Sequence, residues 1–326
     1  MLTLATFNLC NLGIDASDER YSRLAGHITR DLDAPNIIAV QEIKAVVDAT
    51  ERGPVPADAV YRRLIKAIIE QGGPQYSYCE IPPLAQQDGG QAGFNIRVGL
   101  LFDQQSVAFH ERGRGGPQDA TTVEIGEGPP RLSLNPGRIE PRHPAFTGDL
   151  THHWAPARKA LAVEFRVAGK PLFVIVCHLK SMRASNRRER EYTKKQRHTQ
   201  ATVIHEFVQR LLDRDPDGYV VVLGDMNDST GSKTLELLQG RSLRNLLEKI
   251  PKKKRYSFRA GGRGLTLDHV LVSRSLWLKG VARIPHVNSD VPMEEQASDH
   301  DPVWAGLPIH RSPTEYNALE GRDEVG

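Results

Sequence analysis

The sequence predicts an α/β protein. Short β-branched apolar runs of strand length recur along the chain, and amphipathic stretches with apolar residues three and four apart fall between them. Several of the runs also end on a carboxylate, carboxamide or imidazole, where a plain turn residue would suffice. No linker, internal repeat or low-complexity block divides the chain. One domain over residues 1–310 is therefore expected, with an irregular insertion near 111–158 and a polar tail at 311–326.

In order, Leu2–Phe7 reads as a strand that ends at Asn8. Ser22–Leu32 reads as a helix, with Leu24, Ala25, Ile28 and Leu32 on one face and Ala34-Pro35 as its stop. Asn36–Val40 is a second apolar strand and delivers Gln41-Glu42. Val60–Glu70 is an amphipathic helix through Leu64, Ile65 and Ile68. Tyr76–Ile81 and Ile96–Phe102 read as strands, and Ser106–His110 is expected to pair with the latter. Glu111–Arg158 is rich in Gly, Pro and Arg, with little periodicity beyond Thr121–Ile125, so a functional lid or a mobile insertion is expected there. Ala160–Val167 and Leu172–Cys177 form a hairpin through Ala168-Gly169-Lys170, and the second strand ends in His178-Leu179-Lys180-Ser181. A basic run, Arg183–Arg197, leads into a helix with Ala201, Ile204, Val208 and Leu211 on its apolar side. Tyr219–Leu223 is a buried strand that ends in Gly224-Asp225-Met226-Asn227. Leu235–Leu247 holds short helical pieces. Tyr256–Arg259 and Leu265–Ser273 flank a glycine-rich turn and read as a hairpin, with Asp268-His269 in its second strand. Ser298-Asp299-His300 precedes a last strand near Val303-Trp304.

Composition narrows the function classes. The net charge of +3 gives no bulk argument for nucleic acid, so any such argument must rest on two local clusters, Arg183–Arg197 and Lys252–Arg255. Each cluster can equally be a solvated surface. The three cysteines, Cys10, Cys79 and Cys177, have neither disulfide-framework nor zinc spacing and read as free thiols. No run has the length of a membrane-crossing helix, and the first residues lack a positive n-region. As it stands the chain reads as cytoplasmic, or as secreted if a signal was removed. No membrane and no obligate protein partner is inferred.

Six segments carry chemistry: Asn8, Glu42, His178, Asp225 with Asn227, Asp268, and Asp299 with His300. Carboxylates and an amide without cysteine suit a hard divalent ion, magnesium or manganese, over zinc. Two histidines beside such an ion suit hydrolysis of a phosphate ester. Water is then the nucleophile, and imidazole and amide groups stabilise charge in the transition state.

The ordered set Thr6-Phe7-Asn8, Val40-Gln41-Glu42, His178-Leu179-Lys180-Ser181, Gly224-Asp225-Met226-Asn227, Leu267-Asp268-His269 and Ser298-Asp299-His300 resembles the endonuclease/exonuclease/phosphatase superfamily. Within it, the chain is similar to the pancreatic-deoxyribonuclease-like branch and to bacterial nonspecific nucleases of the extracellular type. The resemblance implies a four-layer sandwich of two mixed β-sheets flanked by α-helices, with the active site at one end. It implies Glu42 as principal metal ligand, completed by Asn8 and Asp299. It implies Asp225 as the group that activates water, Asn227 as an amide on the scissile phosphate, and His300 as a phosphate-contacting histidine oriented by Asp268. His178 matches the histidine of this branch, and Arg158 resembles a phosphate-contacting arginine. Lys180, from the same motif as His178, joins the expected phosphate contacts. The activity implied is that of a Mg2+- or Mn2+-dependent phosphodiesterase, a DNA endonuclease of low sequence specificity. The alternative is a phosphoesterase acting on a small soluble or lipid phosphate, such as an inositol phosphate. Abasic-site enzymes often carry Asp where this chain has Cys10, which weakens a repair reading.

Overall fold

The computed structural model describes residues 1–46, 53–148 and 154–310. The predicted tail at 311–326 and part of the insertion, 149–153, lie outside the described residues.

Two mixed sheets form the centre. The first contains β1 (Leu2–Leu12), β2 (Ile37–Ile43), β3 (Ser77–Glu80), β4 (Arg97–Phe102), β16 (Val281–Arg283) and β17 (Val303–Leu307), in spatial order β16-β17-β1-β2-β4-β3. The second contains β5 (Ala108–Phe109), β8 (Gly137–Arg138), β9 (Leu161–Val167), β10 (Lys170–His178), β11 (Tyr219–Asp225), β12 (Leu243–Asn245) and β15 (Asp268–Ser273). Its order is β12-β15-β11-β10-β9-β5, with β8 also on β9. In each sheet one central pair is parallel, β1 with β2 and β10 with β11. Two small hairpins stand apart, β6 (Val123–Glu124) with β7 (Arg131–Leu132) and β13 (Phe258–Ala260) with β14 (Arg263–Leu265).

Alternation along the strands makes four layers, because successive side chains leave a strand on opposite faces. Leu2, Leu4, Ile37 and Ala39 meet Val174, Val176, Val221 and Val270 in a core between the sheets. Ala5, Phe7, Ile38 and Val40 take the other face and pack on α1 (Asp18–Gly26) and α2 (Asp58–Glu70) through Leu24, Ala25, Leu64 and Ile68. Phe173, Ile175, Val220 and Val222 face α4 (Arg187–Arg214) and α5 (Lys233–Gln239) through Ile204, Phe207, Leu211 and Leu238. Two one-turn helices, α3 (Pro144–Thr147) and α6 (Arg274–Trp277), complete the α-helices among the described residues. The expected sandwich is therefore the observed one.

Several local expectations change. The first strand does not end at Asn8 but runs to Leu12. Ala108–Phe109 pairs with β9 of the second sheet, not with Ile96–Phe102, because Phe109 packs on Phe165 as well as Phe102. The hairpin after Tyr256 closes at Leu265, and Asp268 opens a separate strand that pairs with β11. The described part of the 111–158 segment packs on the second sheet. It adds β8 to the second sheet, and Leu132, Ile139 and Phe146 are fully buried in its outer core.

Candidate active site

The register of the second sheet sets three polar groups side by side. His178 at the end of β10 is opposite Asp225 at the end of β11, and Asp225 is opposite Asp268 at the start of β15. Gly224 makes this row possible. Its φ is +136°, and a Cβ there would lie 2.0 Å from the Cys177 carbonyl oxygen.

The first sheet supplies the other half through bulges. Ile38, Val40 and Ile43 all face the outer core, although strict alternation would send Ile43 to the opposite face. The break falls at Glu42, whose φ is +61°, where the pairing of β2 with β4 slips between Gln41 and Ile43. The extra residue turns the carboxylate out of the helix-packed face and towards the sheet end. Cys10 and Asn11, at φ 46° and 56°, bulge β1 in the same way beyond Asn8.

The halves meet through hydrogen bonds. Asn8 Nδ2 donates to Glu42 Oε1 at 3.2 Å and to Asp225 Oδ2 at 3.1 Å, which ties one sheet to the other. The Asn11 backbone N–H donates to Glu42 Oε2 at 3.0 Å. Asp225 Oδ1 accepts the Asn227 backbone N–H at 2.8 Å, and the Asn227 amide donates to Asp225 Oδ2 and the Leu179 carbonyl, each at 3.1 Å. Asp268 Oδ2 is 2.7 Å from His300 Nδ1. Arg158 Nη2 donates to the Leu179 carbonyl at 2.7 Å, while its buried Nε has no partner among the described residues.

Burial and neighbouring charge divide the two histidines. Burial pushes His178 well below its ordinary value, and Arg158, His300 and Lys180 push the same way. The ring is therefore neutral, and its Nε2 contacts with Asp225 Oδ2 at 3.4 Å and Glu42 Oε1 at 3.7 Å are not ion pairs. Burial also opposes charge on His300, but the touching Asp268 carboxylate, with Asp225 and Asp299, lifts it to about 10. Burial raises Asp225 to about 7, against the pull of His300. Burial lowers both Arg158 and Lys180, and Arg158 adds to the effect on Lys180. Removed from water, these cations favour an incoming anion.

Glu42, Arg158, His178, Lys180, Asp225, Asn227, Asp299 and His300 line one cleft of about 530 Å³. Asn8 and Asp268 stand behind that wall, fully buried, and hold groups that reach it. Asn8 has turned its amide nitrogen to Glu42 and its oxygen to the Cys10 N–H, so here it orients the carboxylate. Glu42, His178 and Asp225 offer ligand atoms within 4.8 Å of one another, as do Asp225, Asp268 and His300. The first group, with a neutral imidazole and carboxylate oxygens, fits a divalent cation. The second already holds a charged ring against Asp268. Asp299 lines the same cleft outside both groups.

Sequence reasoning missed the Ser257 hydroxyl, which donates to Asp268 Oδ2 at 2.7 Å, and the apolar wall of Ile96, Phe258, Leu265 and Leu267. The sequence showed Tyr256–Arg259 as one arm of a hairpin, and nothing in its spacing gave the serine a task.

A sequence profile for the Endonuclease/Exonuclease/phosphatase family matches residues 5–300. No curated protein matches significantly. Among solved structures, truncated Caenorhabditis elegans TDP2 is 15% identical with a TM-score of 0.56, over 94% of this chain and 96% of that one. D. rerio TDP2 complexed with single strand DNA product is 14% identical at 0.56, over 94% and 99%. A mannosyl-6-phosphatase from Bacteroides thetaiotaomicron VPI-5482 is 16% identical at 0.55, over 95% and 100%. At these identities the likeness is one of fold.

Proposed function

Because the chain belongs to the endonuclease/exonuclease/phosphatase family, whose members hydrolyse phosphate esters, we propose that it cleaves the phosphodiester backbone of nucleic acid, DNA foremost, with little sequence preference. One observation carries the choice of substrate. Two separate segments that line the cleft continue into exposed basic residues. Lys180 and Arg183 lead into Arg187, Arg188, Arg190, Lys194 and Lys195, and the hairpin carrying Phe258 and Leu265 also carries Arg259 and Arg263. Such contacts hold a phosphate backbone without reading bases.

Arg158 and Lys180 receive the phosphate. Asn227 joins them once its side-chain amide releases one of its two present hydrogen bonds. Asp225, raised towards neutrality, takes the proton of the attacking water as the new P–O bond forms. His300, charged and oriented by Asp268, gives a proton to the oxygen of the ester bond that breaks. Neutral His178 steadies the phosphoryl oxygens. Glu42, with Asp299 in the same cleft, would hold Mg2+ or Mn2+, and Asn8 would orient Glu42. A bound ion would supply charge neutralisation and a more acidic water.

Nicking of supercoiled plasmid tests this, with magnesium, manganese or EDTA and an Asp225→Ala control. The expected result is metal-dependent nicking, lost in EDTA and in the variant, and slower as salt rises. Folded protein that nicks with neither metal would overturn the nuclease reading. A second reading, a small soluble phosphate ester, is favoured by the apolar wall, which can cover a sugar ring, and by the fold shared with a sugar phosphatase. Phosphate release from sugar and inositol phosphates without nicking would select it. No helix among the described residues is long and apolar enough to cross a membrane.

A further inference from the structure

Ser257 is fully buried, and the reaction outlined above gives it no role. Its hydroxyl has one hydrogen and two lone pairs, and all three are committed. The oxygen accepts the backbone N–H groups of Leu267 and Asp268, both at 3.1 Å. The hydrogen is thereby left for Asp268 Oδ2, 2.7 Å away. That same carboxylate oxygen contacts His300 Nδ1, while Asp268 Oδ1 has no partner among the described residues. Orientation of the carboxylate thus depends on two contacts at one oxygen, one of them from Ser257.

The serine backbone works on the other partner. Its carbonyl accepts the Asp301 N–H at 2.7 Å and so fixes the segment that carries His300. Phe258 next to it bridges to His300 through the backbone and rests its ring 5.0 Å from the imidazole. Asp301 is in turn held by the Asn288 and Ser289 N–H groups and by His286, whose ring stacks on Tyr256 at 3.9 Å. Residues 256–258 therefore touch both members of the Asp268–His300 pair and the loop behind them.

We infer that Ser257 is a positioning residue, whose hydroxyl fixes the Asp268 carboxylate so that His300 presents its free Nε2 to the cleft at a set angle. In kinetics the inference rests on the proposed hydrolysis; in structure it does not. Two readouts keep these apart. The first is the Nδ1–H proton resonance of His300, assigned by its loss in His300→Ala. Ser257→Ala shifts or broadens it, Ser257→Thr preserves it, and Ser257→Cys, which keeps the volume but donates poorly, behaves like Ala if the Ala variant does not fold. The second is turnover of a simple aryl phosphodiester. Ser257→Ala lowers kcat by about 10- to 100-fold and leaves KM nearly unchanged, as expected for a small misplacement of a group that acts in the transition state. Added to His300→Ala it has no further effect, because it acts through that ring. An unmoved resonance with wild-type kcat in the folded variant, or a fully additive loss in the His300→Ala background, overturns the inference. If the wild type hydrolyses no phosphate ester, the proposed reaction fails and the resonance alone decides for or against Ser257.

Discussion

Replacing Gly224 with alanine should damage stability and activity together. The residue sits in β11 between β10 and β15, one position before Asp225. Its φ of +136° is nearly closed to L-residues and costs about 1–3 kcal/mol for alanine. The added Cβ would also lie 2.0 Å from the Cys177 carbonyl oxygen, a backbone atom that no rotamer change can clear. Reaching 3.0 Å, still tighter than nine in ten real Cβ contacts, requires a retreat of about 1 Å, and overpacking of this kind costs about 1–3 kcal/mol more. The total of about 2–6 kcal/mol should lower Tm by about 3 °C or more. The retreat occurs where His178 faces Asp225, so kcat should fall by about 100-fold even well below Tm. Calorimetry and turnover of an aryl phosphodiester measure both. Gly169→Ala is the control: it has φ +74° but nothing within 4 Å of the new Cβ, so it should cost about 1 kcal/mol and leave kcat alone. A Gly224→Ala protein with Tm within about 1 °C of wild type and undiminished kcat would refute the steric reasoning.

Two further outcomes follow from the charges. NMR titration should show the His178 ring neutral at pH 6 while His300 keeps both ring protons until the pH nears about 10. Since the folded value of His300 lies above its unfolded one, its contribution to stability is full below about pH 6.5 and lost as pH rises towards about 10; a His300 midpoint near 6.5 would contradict this. Arg158→Met should reduce kcat by about 10²- to 10³-fold without lowering Tm, because it removes a buried cation whose Nε has no partner among the described residues. A large fall in Tm with kcat retained would assign Arg158 to the fold, not to the reaction.

Most of the site was legible because it lies at strand ends, and strand ends are visible as apolar runs that stop on a polar residue. Glu42, His178 and Asp225 were found that way, and the structure brings them to one cleft. The bulge that aims Glu42 was not legible. A positive φ at a glutamate leaves no mark in composition, and the extra residue shows only when Ile43 is seen on the same face as Val40. Short strands such as Ala108–Phe109, Leu243–Asn245 and Val281–Arg283 were misplaced or missed, since two or three residues carry no periodicity to set a partner. Ser257 was unreadable for another reason. Its role depends on Asp268 and Asp301, 11 and 44 positions away, which only the fold brings to it.

The Asn8 amide reaches from one sheet to a carboxylate of the other, and the consequence concerns how the protein dies. Neither sheet owns the reaction centre, and the layer of Leu, Val and Ala side chains between them sets its alignment. A species in which both sheets persist but slide against each other would keep its spectroscopic secondary structure and lose its chemistry. Turnover is thus a vernier for inter-sheet slip, and it should fade before circular dichroism reports any melting.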